Sequence, residues 1–162
     1  VTAYDPAAWA DFAQTVAGGA AALAGLLFVG LSLNLSDVLA HRGVPARAAV
    51  TLGLTIAILL ITVLLATPGQ PLWALAAEVG MIGLVLAAGA LTSGLHDRRN
   101  RSRGRTLYLV LVPLLPALLF VTAAVSLLSQ AGGGLYWLTA GVVAGFFSAT
   151  ANSWVLLVEI KR

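Results

Sequence analysis

An ionisable side chain inside an apolar run is the first place to look for chemistry, and this chain has one. Of its six acidic residues, Asp5, Asp11, Asp37, Asp97 and Glu159 lie at or near the ends of apolar stretches, whereas Glu78 lies about two turns inside one. A carboxylate at that depth must be protonated, paired or in contact with water. The side of the membrane on which it falls carries no Lys or Arg, so its available partners are water and the polar groups of Gln14, Thr15 and Gln70. Chemistry of that kind is ion or proton handling. Glu78 is then the titrating group, with Gln14 and Asp11 as companions near the same surface. The competing reading is an interfacial glutamate that snorkels outward.

Catalytic machinery is not in evidence. His41 and His96 both fall in polar links, without metal-ligand spacing and with only Asp97 as an acidic neighbour. Axial ligation of a haem would need them inside apolar runs. With no cysteine, disulfides, thiolate metal sites, iron–sulfur clusters and cysteine nucleophiles are excluded. No nucleophile elbow, P-loop or His-Glu-x-x-His motif occurs. The expectation is a protein that is not an enzyme, with no metal and no cofactor.

Two amides remain. Asn34 and Asn152 fall toward the same end of two parallel runs, and an amide in apolar surroundings wants a partner. A hydrogen bond between them, or from either to a freed carbonyl, would serve as interhelical glue; the alternative is a place on a permeation path. Pro113 and Pro116 lie in the interior of a third run. Each removes a backbone donor and kinks a helix, freeing the carbonyls of Leu109 and Val112 for a neighbouring hydroxyl or water.

The elements that position these groups follow from composition. Hydrophobic residues make up 60% of the 162 residues and charged residues 9%, against roughly 45–50% and about 25% in soluble domains. A spanning helix needs about 20 mostly apolar residues, and five stretches qualify: 12–35, 48–67, 72–95, 106–129 and 135–158. Polar links separate them at 41–47, Pro68-Gly69-Gln70-Pro71, 96–105 and 131–134. Proline before glycine in the second link suits a type II turn. The expected architecture is all-α, a single polytopic domain with a bundle of five transmembrane helices.

Orientation follows from charge. All nine basic residues (Arg42, Arg47, Arg98, Arg99, Arg101, Arg103, Arg105, Lys161 and Arg162) fall on one side of a five-span chain. The positive-inside rule makes that side cytoplasmic, which leaves the N-terminus outside in a cytoplasmic (inner) membrane. Tyr4, Trp9, Trp73, Tyr136 and Trp137 mark the outer interface. The N-terminal segment lacks a basic region and carries Asp5 and Asp11, unlike a signal peptide. The net charge of +3 serves topology rather than nucleic-acid binding. Arg98, Arg99, Arg101, Arg103 and Arg105 form a loop placed to meet anionic lipid headgroups of the bilayer.

Small residues supply packing surfaces. Gly141, Gly145, Ala149 and Ser153 form one ridge; Ala17, Ala21 and Gly25 another; Gly83, Ala87, Ala90 and Gly94 a third. Such ridges serve packing inside the chain or self-association, and a homo-oligomer is expected. The functional expectation is a small channel or carrier for cations or protons. Asp5, Asp11 and Glu78 would make its outer mouth acidic. The alternative is a non-conducting accessory or scaffold subunit of a larger membrane complex.

Overall fold

A computed structural model describes residues 2–40, 44–97 and 103–160, with side chains for 2–40, 44–92 and 110–154. Two 3-10 turns, Thr2–Tyr4 and Pro6–Trp9, lead into six α-helices: α1 (Ala10–Leu33), α2 (Leu35–Ala40), α3 (Val44–Leu65), α4 (Leu72–Asp97), α5 (Arg103–Ser129) and α6 (Leu135–Ile160). The described residues contain no strand.

Among the described residues, four segments are long and apolar enough to cross a membrane: Pro6–Leu33, Val44–Leu65, Leu72–Thr92 and Val110–Ser129. Helix α6 matches them in length, at 26 residues. It is not one of the four, which are counted over residues described with their side chains, and its apolar end from Val155 to Ile160 lies beyond them.

The ends of the elements depart from the sequence reading in three places. The first run is broken at Asn34, whose backbone leaves the helical region before the short α2 begins. Its amide Nδ2 donates to the Gly30 carbonyl of its own helix at 2.9 Å, a local bond that competes with helix continuation. Helix α3 starts at Val44, so Pro45 sits in its first turn, where the missing N–H is no loss. Arg47 therefore belongs to a helix and is only 9% exposed, where a solvated link was expected. The 96–105 loop is shorter than expected, because α4 runs to Asp97 and α5 begins at Arg103. Arg98, Arg99 and Arg101 lie outside the described residues, as do the side chains of Arg103 and Arg105. Gly69, at φ +72°, has the backbone that the third position of a type II turn demands.

Helices α3, α4, α5 and α6 close a ring in which each packs on the next and α6 returns to α3, while α1 lies outside against α3. The closest pair is α4 with α5. Gly83 makes that approach possible: a Cβ there would stand 3.0 Å from the Ala117 carbonyl oxygen and from Val121. Large side chains fill the half of the ring nearer the turns that follow α3 and α5: Phe120, Ile58, Ile61, Leu75, Leu127, Leu135 and Leu138 are all buried.

The N-terminal segment crosses the end of this ring that carries the turn between α5 and α6. The Tyr4 hydroxyl accepts from Gly133 N–H at 3.0 Å, and Trp9 meets Tyr136 edge-on at 5.1 Å. Ser126 Oγ accepts from Gly134 N–H at 2.8 Å and donates to the Ala131 carbonyl, tying the turn between α5 and α6. Helix α1 buries Ala13, Val16 and Ala20 at helical spacing, and nothing beyond them.

Candidate functional site

Glu78 projects from α4 near its N-terminal end, half-buried, and accepts a hydrogen bond from Gln70 Nε2 in the turn before the helix. Of the three donors open to it, the fold brings Gln70. Gln14 is exposed on α1, and the Thr15 hydroxyl donates to the Asp11 carbonyl at 2.8 Å. Asp11 is exposed too, and Asp5 accepts from Ala7 N–H at 3.1 Å. Within one chain the outer acids therefore hold separate positions. Gln70 Oε1 is buried and meets no hydrogen-bond donor.

The denser polar group lies in the other half of the bundle. Thr51 and Thr55 on α3 and Ser148 and Asn152 on α6 are buried. Their levels follow from one close approach: a Cβ on Gly145 would stand 2.8 Å from Ile58 Cδ1. The two helices are antiparallel, so three residues inward from that contact bring Thr55 level with Ser148. Seven residues inward, two turns on the same faces, bring Thr51 level with Asn152. These make two polar rungs. Arg47 follows one turn further inward on α3.

Helix α5 joins the upper rung through its prolines. Pro113 and Pro116 are both buried, and α5 runs unbroken through them. Pro116 has no N–H for the Val112 carbonyl, and Ser148 Oγ donates to that oxygen from α6 at 3.1 Å. A hydroxyl was expected there; its identity was not. The Leu109 carbonyl falls outside the residues whose surroundings are described.

Each hydroxyl spends its one proton on a carbonyl. Thr51 Oγ1 donates to Arg47 O at 2.9 Å, Thr55 Oγ1 to Leu52 O at 2.8 Å and Ser148 Oγ to Val112 O. What these oxygens have left is lone pairs. Asn152, only 6% exposed, leaves its Oδ1 buried without a donor. The expected bond between Asn34 and Asn152 is not made: Asn34 satisfies itself on Gly30, at the end of α1 where no side chain is buried.

The small ridge of α6 is consumed inside the chain. A Cβ on Gly141 would fall 2.6 Å from Phe120 Cε1, Gly145 meets Ile58 and Pro116, and Ala149 is fully buried. On α1 the opposite holds, since Gly18, Gly25 and Gly30 face open space.

Thr51, Thr55 and Ser148 did not stand out in the sequence. The signal was there: threonines four apart on one helix, and a serine four before Asn152 on another, each pair sharing a face. Among the described residues no group of His, Asp or Glu is arranged to hold a metal ion. The chain matches no protein-family model, and neither a curated protein nor a solved structure matches it.

Proposed function

We propose that the chain is a five-span protein of the cytoplasmic membrane, N-terminus outside and C-terminus inside, acting as a small channel or carrier for cations or protons rather than as an enzyme. Support for α6 as the fifth span comes from its neighbours. It packs along α3 and α5, both apolar enough to span, from Gly141 against Phe120 down to Ser148 on Val112. That shared stretch of about 10 Å aligns α6 with two helices able to span and supports a fifth crossing. The charge asymmetry supports the orientation.

One observation carries the transport reading: two buried rungs of oxygen acceptors, ending in an amide oxygen that has no donor. Polar groups held inside a membrane bundle line ion and substrate pathways where they are not used up as glue between helices. The filled outer half of the ring, around Phe120 and Ile61, would be the closed side of that path. Glu78, tied to the outer turn by Gln70, would stand at the outer surface and not on the rungs.

The test is flux in liposomes holding the purified full chain, wild type beside Asn152→Leu and Glu78→Gln, across a pH series. A cation or proton flux is expected in the wild type and is lost in Asn152→Leu. No flux of any ion at any pH or voltage overturns the transport reading.

The open glycines of α1 favour a second reading, a non-conducting accessory or scaffold subunit that docks by that helix. There Asn152→Leu would be silent, and Gly25→Leu would disrupt association, read by co-purification under mild solubilisation.

A further inference from the structure

We propose that residues 2–9 form a lid on the end of the ring that carries the turn between α5 and α6. The lid is a preformed unit, hinged at Trp9, that lifts and re-seats while the helices beneath it stay folded. As a gate on the outer end of a pathway it rests on the transport reading; as a moving part it rests on the geometry alone.

The hydrogen bonds divide so as to set the segment apart. Within it, Trp9 Nε1 donates to the Thr2 carbonyl at 2.7 Å, Ala7 N–H to Asp5 Oδ1 at 3.1 Å and Ala8 N–H to the Asp5 carbonyl at 3.2 Å. The two 3-10 turns are thereby fastened to each other. The turn they rest on is closed as well: Gly134 N–H and the Ala131 carbonyl are both met by Ser126 Oγ, and Trp137 Nε1 donates to the Gly132 carbonyl at 2.7 Å. Among the described residues one hydrogen bond crosses from the turn to the segment, that of Gly133 N–H to the Tyr4 hydroxyl. Lifting the segment breaks that bond and leaves intact the bonds that shape either side.

The seat is cut to the segment. A Cβ on Gly134 would overlap the Ala3 carbonyl oxygen and stand 2.6 Å from the Tyr4 ring, so the close approach requires glycine there. Ala3 is only 5% exposed in this seat, and Tyr4 and Trp9 pack on the apolar core of the ring.

The hinge follows from Trp9. Its backbone, at φ −110° and ψ 9°, leaves the helical region just before α1, and no side chain caps the first turn of that helix. Its ring touches both sides, Phe12 of α1 at 5.5 Å and Tyr136 of α6 at 5.1 Å. Element ends of this kind absorb the backbone rotation of a closing segment.

The experiment uses single cysteines in the otherwise cysteine-free full chain, purified in detergent and labelled with a small thiol reagent. Ala3→Cys reports on the lid, Ala123→Cys, fully buried in α5, on opening of the ring, and exposed Thr2→Cys on the free rate. Ala3→Cys should label more slowly than Thr2→Cys and about tenfold or more faster than Ala123→Cys. Adding Tyr4→Phe should speed Ala3→Cys several-fold and leave Ala123→Cys unchanged. Equal rates at Ala3→Cys and Ala123→Cys overturn the lid, because the segment then leaves only when the ring unfolds. Equal rates at Ala3→Cys and Thr2→Cys overturn it too, because the segment is then not seated.

Should Ala3→Cys itself unseat the segment, hydrogen exchange in the unsubstituted chain reads the same motion. Gly133 N–H, bonded to the lid, should exchange several-fold faster than Gly134 N–H, bonded within the turn. Equal protection of the two overturns the proposal. Flux in liposomes then tests the gate: Tyr4→Phe should raise it several-fold over wild type. A lid that lifts without changing a measurable flux is no gate, and a lid that lifts in a chain carrying no ion keeps the motion and loses the transport reading.

Discussion

Glu78 and Asn152 show how differently two polar residues inside apolar runs can be accommodated. Glu78 lies near a helix end, and the preceding turn reaches back to it through Gln70. Asn152 is buried on α6, and its carbonyl oxygen meets no donor. Glu78→Gln should therefore be mild. An amide oxygen still accepts from Gln70, so thermal unfolding should register a change of about 0.5 kcal/mol or less. A loss of several times that would mean that the carboxylate charge itself is used in the fold. The sequence marked both residues by their type and depth, yet burial at one and a turn-borne donor at the other depend on which face meets which neighbour.

Among the elements, α5 and α6 are coupled through a defect. Pro116 leaves the Val112 carbonyl without its helical donor, and Ser148 supplies one from across the interface. Ser148→Ala should cost about 1 kcal/mol, an ordinary amount for a buried bond in a membrane bundle. In a Pro116→Ala background, where the backbone N–H is restored, the same substitution should cost much less, so a double-mutant cycle in thermal unfolding checks the coupling. The glycine ridges give a second contrast between elements. A Cβ at Gly141 would strike Phe120, so Gly141→Ala should destabilise by about 1–3 kcal/mol. At Gly25 nothing stands within 4 Å, and Gly25→Ala should be neutral or slightly stabilising through helix propensity. Measured in one detergent, the two substitutions should separate cleanly. Were Gly25→Ala as damaging as Gly141→Ala, α1 would have to be packed against another chain.

For the whole molecule, the ring of α3 to α6 with α1 outside it makes a topology that single cysteines can read, because the chain has none of its own. Cysteines at Thr67 and Ala131 should react with an impermeant thiol reagent from the outer side of intact cells. Cysteines at Ser102 and Arg162 should react only after the membrane is opened. If Ala131→Cys and Arg162→Cys reacted from one side, α6 would not span and the chain would have four crossings. The N-terminal segment bears on the same question, since Tyr4 and Trp9 bind it to the turn between α5 and α6 and so keep both on one side.

The amino-acid sequence by itself determined that the chain is helical and apolar enough to enter a membrane, where its helices break, and which few side chains are polar within them. It did so because length, hydropathy and the cost of a buried charge are local properties. It did not determine which small-residue ridge the fold would use. Lipid is as apolar as leucine, so hydrophobicity does not distinguish the inside of a membrane bundle from its outside. That is why the ridge of α6 could be buried at Gly141 and Gly145 while the ridge of α1 stayed open, with equal warrant in sequence. Only the tertiary structure put Ser148 on Val112, separated Asn34 from Asn152 and stacked Thr51 and Thr55 opposite the inner half of α6. The helical period fixes which residues share a face, and packing alone decides what that face meets.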